Sequence, residues 1–244
     1  MFRSKPSTTR ADADPDERDA HPDRIADGPH SGHVTAIKPQ RRDPERVSVF
    51  LDGAFAFGLH QDLVLDAGLF PGMELDEELT ASLLDRDRVR QAITAALNLL
   101  AYRPRAEGEI RTRLRQRGFP DGAIDETLVK LREWHYVDDQ DFAERWIENR
   151  RERRPRSARM IAMELRGKGV EADTVTEAVE GAAIDERADA LRIATERWAR
   201  LAELEAPVRV RRLTAFLSRR GYGFDVIRDV LKTLETGDVG DNDG

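Results

Sequence analysis

The chain contains no cysteine, which removes disulfides, thiolate zinc sites and cysteine nucleophiles from consideration. Aromatic residues are scarce at 6%, so a core has to be assembled mainly from Leu, Ile, Val and Ala. Nowhere do apolar residues run for the 18 or so positions of a membrane-spanning helix. The opening Met1–Arg10 is polar and has no apolar stretch of the secretory kind. These absences predict a soluble, cytoplasmic protein with no membrane role. What is abundant is charge: 36% of the 244 residues are Asp, Glu, Lys or Arg, against about 25% in an average soluble protein. That length predicts one or two domains.

The net charge of −7 is unevenly laid out. Residues 1–33 carry 5 basic and 7 acidic side chains, residues 34–80 carry 4 and 9, and residues 236–244 carry 0 and 3. Residues 81–235 hold 31 basic against 28 acidic groups, almost all of the former arginine. An acidic total is therefore compatible with a basic working surface in the central stretch.

Patterning divides the chain. Residues 1–33 hold four prolines and scattered Asp with little to bury, so they are expected to be a disordered acidic tail. Residues 236–244, rich in Gly, Asp and Asn, are expected to be a second. From residue 34 to about 80 the periodicity is that of strands: Val47, Val49 and Leu51 alternate with polar or opposite-face residues, as do Phe55, Phe57 and Leu59. Asp52-Gly53 between them is the favoured two-residue hairpin turn. Val34–Ile37 is a candidate third strand, Gly58 a candidate bulge, and His60–Ala67 a short helix. Beyond Glu74 the apolar spacing is helical throughout.

The helical region repeats. Pro104, Leu114, Gly118, Phe119, Ile124 and Leu128 recur 51 residues later as Pro155, Leu165, Gly169, Val170, Val175 and Val179. A further 52 residues on stand Pro207, Leu217, Gly221, Tyr222, Ile227 and Leu231, and Trp198 follows Trp146 at the same offset. Each copy reads as three helices. Proline marks the start of the second, and glycine occupies the left-handed position that ends it. One such unit has a small core and needs stacked neighbours. The expected fold is mostly α: three tandem three-helix repeats, over 81–140, 141–184 and 185–235, in an elongated curved stack behind the small β element of 34–80.

Enzyme signatures are missing. Gly167-Lys168 lacks the flanking residues of a phosphate loop, and the five histidines show no metal-ligand spacing. Asp138-Asp139-Gln140-Asp141 suits a metal-dependent nuclease on paper, but capping of the helix that starts there is the better account. No cofactor is expected.

Arginine is the remaining candidate. Arg150, Arg151, Arg153, Arg154, Arg156 and Arg159 crowd one segment, Arg111 and Arg115 share a helix face in the first repeat, and Arg212, Arg219 and Arg220 occupy the corresponding zone of the third. If equivalent positions line one side of a stack, they form a basic stripe suited to phosphates or to an acidic protein groove. The opposing reading is a solvated face balanced by Glu144, Glu148, Glu152 and Glu164. Tyr102 and Trp134 are the aromatics least explained by core packing.

Several of these residues carry a family resemblance. Leu99-Leu100, Arg103-Pro104-Arg105, the run Glu109-Ile110…Leu114…Gly118-Phe119, and Tyr136-Val137-Asp138-Asp139-Gln140-Asp141-Phe142-Ala143 resemble the RecX family of recombinase regulators. Val47–Asp52, Phe55–Leu59 and Gly72-Met73-Glu74-Leu75 are similar to the leader of its longer members. Ala106 departs from the family's usual capping Ser, and Arg156-Ser157 from a usual Gly. The resemblance implies a non-enzymatic negative regulator of RecA. Such a protein binds in the groove of the RecA–DNA filament, as a monomer, and inhibits ATP hydrolysis, strand exchange and co-protease activity. It thus implies roles in recombination control, DNA repair and the SOS response. The eleven arginines are then the expected partner-binding residues, with weak non-specific DNA binding alongside. The rival expectation is a direct DNA-binding helical module that needs no RecA. Against it, the helix over 121–132 carries Asp125 and Glu126 where base-reading side chains would stand.

Overall fold

The structure is a computed structural model and describes residues 30–41 and 43–240. The expected acidic tail lies almost wholly outside the described residues. Among those described, the chain forms four strands and ten helices. By its contacts it divides into two compact units, one ending at Arg103 but including Ile110–Trp134, the other made of Pro104–Glu109 and His135 onward.

The first unit opens with β1 (Gly32–Pro39), β2 (Arg46–Leu51) and β3 (Ala54–His60), followed by α1 (Gln61–Asp66) and a two-residue β4 (Glu74–Leu75). They form an antiparallel sheet in the order β3-β2-β1-β4. The hairpin turn is the expected one: Asp52 and Gly53 both have positive φ, at 48° and 86°. Val34, Val47, Val49, Leu51, Phe57 and Leu59 fill the core on one face. β4 had no sequence signal because two residues set no periodicity. The ordered strand also begins at Gly32, ahead of the expected boundary at 34.

Gly58 is not a bulge. It pairs in register with Ser48, and the irregularity falls between Val49 and Phe50. Its small size serves another purpose: a Cβ there would sit 2.7 Å from the Gln40 amide nitrogen and 3.5 Å from the Arg46 guanidinium. That guanidinium is buried. It donates to both oxygens of Asp87, at 2.9 and 3.3 Å, and to the Gly58 carbonyl at 3.3 Å. Asp87 also accepts from the His60 backbone N–H at 2.9 Å and from Gln91 at 2.7 Å. Asp87 belongs to α2 (Glu77–Tyr102), so this network ties sheet to helix. The unit continues with α3 (Glu107–Gln116) and α4 (Asp121–Glu133).

The second unit holds α5 (Asp139–Arg153), α6 (Ala158–Gly167) and α7 (Ala172–Gly181), then α8 (Glu186–Ala199), α9 (Ala206–Ser218) and α10 (Phe224–Gly240). With α2, α3 and α4 these make three triplets at the expected period. Gly118, Gly169 and Gly221, which end the second helix of each triplet, have φ of 86°, 83° and 88°, the left-handed conformation their position requires. The last helix runs on to Gly240, past the expected break at 236. Two cores follow the repeat. Ile147, Ile161, Leu165 and Val175 anchor one, and Ala194, Trp198, Leu213, Leu217 and Ile227 the other.

Within this unit, which takes in Pro104–Glu109, segments distant in the chain are joined in a way the sequence does not announce. The start of α3 lies against the end of α6, with Gly108 and Gly169 so close that a Cβ on Gly108 would stand 2.5 Å from the Gly169 Cα. Ala106 cannot cap α3, and the Asp139 carboxylate at the start of α5 accepts the Glu107 N–H at 2.9 Å instead. The next joint repeats the device: Glu186 at the start of α8 accepts from the Ala158 N–H at 2.8 Å, and the Ser157 N–H donates to the Arg220 carbonyl at 3.0 Å. Ser157 adds an ordinary N-cap to Met160 at 3.2 Å.

Asp139 has a pKa raised above 3.8, first by burial and then by the nearby Glu107, Asp138 and Glu171 charges, against the Glu107 N–H bond that lowers it. A raised acid pKa means the folded state takes up a proton before the unfolded one. This group's contribution to stability therefore increases as pH falls through its folded pKa towards 3.8. Asp139→Asn keeps an acceptor and sheds the charge, so it is expected to be neutral to stabilising at pH 7 and to remove that acid-side gain. Asp139→Ala orphans the Glu107 N–H and is expected to cost about 1 kcal/mol. Urea titrations followed by tryptophan fluorescence at neutral and mildly acidic pH check both.

Candidate partner-binding surface

The structure separates the expected arginines into those that hold the fold and those that do not. Arg150 and Arg156 converge on Glu164. Arg150 Nε lies 2.6 Å from that carboxylate, Arg156 pairs with its other oxygen, and the Trp146 indole N–H donates to it at 3.0 Å. Arg150 stacks on the Trp146 ring at 4.2 Å and Lys168 approaches that ring at 4.3 Å. Lys168 reaches Glu109 at 3.7 Å. Glu164, only 16% exposed at its side chain, thus neutralises two guanidinium groups and fixes an indole. Ion pairs held this way have little left to offer an outside anion.

Arg151 is likewise engaged. It contacts Asp189 at 3.2 Å and the Ala182 carbonyl at 3.4 Å, while Arg192 donates to its backbone carbonyl at 2.6 Å. It faces an open cleft framed by α5, α7 and α8, where Asp141, Glu144, Glu148, Glu152, Glu177 and Asp189 outnumber Arg145, Arg151 and Arg192. Such a cleft repels an anionic partner. In the first unit, Arg111 pairs with Asp125 at 2.5 Å and Arg115 with Asp121 at 2.7 Å.

Six of the expected residues remain. Arg153, Arg154, Arg159, Arg212 and Arg219 are exposed and make no ion pair or side-chain hydrogen bond among the described residues. Arg220 lies over the Phe216 ring at 4.0 Å, with Arg197 at 5.5 Å from the same ring. Its pKa is lowered, first by burial and then by the like charges of Arg156, Arg219 and Arg197, although Tyr222 opposes this. Positive charge therefore gathers around the end of α5, the start of α6 and the end of α9, joined there by the Ser157–Arg220 backbone bond. The signal available in the sequence was arginine density. It could not tell which guanidinium a buried carboxylate had already claimed.

The other candidates resolve differently. Asp138 is the N-cap of α5, accepting from the Gln140 and Asp141 N–H groups at 2.9 and 3.0 Å. Asp139 serves α3, and Asp141 pairs with Arg145 at 2.8 Å. Each carboxylate of the supposed metal cluster therefore has a separate structural task. On α4, Asp121 and Asp125 are tied to arginines of α3, so the would-be recognition helix presents an acidic, internally paired surface. Trp198 and Tyr222 are buried, whereas Tyr102, Trp134 and Tyr136 are exposed. No helix among the described residues is long and apolar enough to cross a membrane.

Comparison with known proteins fits this architecture element by element. Profiles for the regulatory protein RecX N-terminal domain and for the first, second and third RecX three-helix domains match residues 32–76, 92–131, 138–179 and 185–231. The chain belongs to the RecX family. The regulatory protein RecX of Bacillus velezensis is 30% identical over 203 residues, covering 83% of this chain and 77% of that one. The RecX of Clostridium botulinum strain Alaska E43 is 29% identical, covering 82% and 94%. Among solved structures, a crystal structure of regulatory protein RecX superposes with a TM-score of 0.64 at 22% identity, over 82% of this chain and 98% of that one. RecX from Lactobacillus salivarius gives 0.55 at 20%, over 62% and 99%. At those identities the structures bear on the fold alone. They agree on a mostly helical RecX architecture behind a small sheet.

Proposed function

We propose that this RecX-family chain is a non-enzymatic negative regulator of RecA. It acts in the cytoplasm, lodging in the groove of the RecA–DNA filament and suppressing ATP hydrolysis, strand exchange and co-protease activity. Membership of a family of regulatory proteins supports the reading, and a group of exposed arginines without internal counter-charges carries it to a surface. A fold stabiliser would spend its guanidinium groups on internal carboxylates, as Arg150, Arg151 and Arg156 do. Arg153, Arg154, Arg159, Arg212, Arg219 and Arg220 are the groups through which an acidic filament groove is met, by charge-assisted hydrogen bonds. Tandem helical repeats suit this task because they offer extended surfaces to neighbouring subunits of a polymer.

The test is co-sedimentation with RecA filaments at moderate salt. The triple variant Arg153→Glu, Arg154→Glu, Arg159→Glu is expected to bind at least 10-fold more weakly while its helical circular dichroism and thermal midpoint stay near those of the parent. Unchanged sedimentation of that variant removes the surface from the reading. A protein that fails to sediment in its unaltered form removes the function.

A further inference from the structure

The exposed arginines of the second unit gather in one place. Arg153 and Arg154 end α5, Arg159 stands in the first turn of α6, and Arg212 and Arg219 lie seven residues apart on one face at the end of α9. The Ser157 N–H to Arg220 carbonyl bond at 3.0 Å holds the two segments together. Five like charges crowded in this way, without an ion pair among the described residues, repel one another. A second imbalance lies ahead of the described residues. Between Asp12 and Asp27 there are seven carboxylates against Arg18 and Arg24, with Ile25 the one large apolar side chain. That composition gives the block charge to place and almost nothing to bury.

We infer that the acidic block Asp12–Asp27 docks on this arginine corner of its own molecule and so competes with the partner for it. The inference rests on the reading above that the unpaired arginines meet the filament, and it adds a regulator of that surface carried by the same chain. Charge complementarity and tether length carry it. The block has a net charge of −5, opposite five exposed guanidinium groups. At about 3.3 Å per residue its 16 residues extend for about 50 Å, whereas Arg212 to Arg219 takes up about 10 Å of helix, so the block can lie along both segments of the corner. Asp27 is five residues from Gly32, where β1 begins, and Asp12 is 20 residues from it, a reach of up to about 65 Å. Docking is therefore intramolecular, at the effective concentration of a linked segment, on the order of mM. The cleft framed by α5, α7 and α8 offers the block no other seat, since acids dominate there. Each exposed ion pair is weak, which suits a regulatory contact: the block gives way to a partner that presents more negative charge.

The test uses the full chain, which has no cysteine of its own and so takes a nitroxide at one introduced position, Ala20→Cys. Paramagnetic broadening of the backbone amides is read at about 50 and about 300 mM salt. At the lower salt the amides of residues 153–159 and 212–220 are expected to broaden, and at the higher salt to recover. The triple variant Arg153→Glu, Arg154→Glu, Arg159→Glu is expected to abolish the broadening. A mixture of isotope-labelled chain without the nitroxide and nitroxide-bearing chain without the isotope is expected to show none, and broadening in that mixture overturns docking within one molecule. Co-sedimentation with RecA filaments then reads the consequence. The combined variant Asp12→Asn, Asp14→Asn, Asp16→Asn, Glu17→Gln, Asp19→Asn is expected to bind about 5-fold more tightly at the lower salt, the size of a few surface ion pairs together, with the gain lost at the higher salt. An unbroadened corner, or equal binding by the neutralised chain, overturns the inference. If either occurs while the unaltered protein still sediments with filaments, only this inference falls. If neither the unaltered nor the neutralised chain sediments, the functional reading falls with it.

Discussion

Replacing Asp87 by alanine is expected to destabilise the first unit by about 3–5 kcal/mol, the range for removing one partner of a buried ion pair. The Asp87 side chain is 4% exposed and that of Arg46 is 11%. Truncation would take both carboxylate acceptors from a buried guanidinium that also donates to the Gly58 carbonyl. It would also release the His60 N–H and the Gln91 amide from their shared acceptor. The loss is therefore larger than that of one hydrogen bond. Hydrogen exchange of the β2 and β3 amides reads the local stability directly. Protection there is expected to fall by more than two orders of magnitude, while the amides of α8 and α9 are unaffected. Replacing both partners with apolar residues, Arg46→Met with Asp87→Leu, is expected to recover most of the loss, because neither then buries an uncompensated charge.

The second large effect is expected at the pair Gly108 and Gly169 inside the second unit. A methyl group on Gly108 would stand 2.5 Å from the Gly169 Cα and 2.6 Å from its carbonyl oxygen, and one on Gly169 would stand 2.6 Å from the Gly108 Cα. Both obstacles are backbone, so no side chain can swing aside. Overpacking of this kind costs about 1–3 kcal/mol, occasionally more. At Gly169 the left-handed φ adds about 1 kcal/mol for any residue with a Cβ. Gly169→Ala is accordingly expected to cost about 3 kcal/mol, and Gly108→Ala slightly less. By contrast, a Cβ on Gly167 meets nothing within 4 Å, so Gly167→Ala is expected to be neutral or mildly stabilising, since alanine is the better helix former. Chemical denaturation of the three variants, followed through Trp146 and Trp198, would show that ordering.

What the sequence revealed and what it hid divide along a physical line. The triple helical repeat was legible because its markers act locally: proline opens a helix, and glycine ends one by entering the left-handed region, whatever lies beyond. The Asp52-Gly53 turn was legible for the same reason. Features that depend on residues distant in the chain were not. Arg46 and Asp87 are 41 positions apart, and nothing local marks either as buried. Ala106 looked like a lost cap, yet the acceptor arrives from Asp139, 33 residues on. Gly58 read as a bulge, although its missing Cβ leaves space for the Gln40 side chain. The arginine surface shows the same limit. Density marks a segment, but Arg150, Arg151 and Arg156 have Glu164 or Asp189 beside them where Arg153, Arg154 and Arg159 have no such carboxylate among the described residues, and that proximity is a product of the fold.

The most direct test of the functional reading is RecA's DNA-dependent ATP hydrolysis, measured while this protein is titrated in and DNA is kept in excess. The account predicts inhibition at well below one molecule per RecA subunit, because a ligand of the filament affects more subunits than it touches and excess DNA prevents simple competition for the strand. Undiminished hydrolysis at stoichiometric protein, in a preparation that binds DNA tightly by itself, would contradict it and leave the chain a DNA-binding relative of the RecX fold.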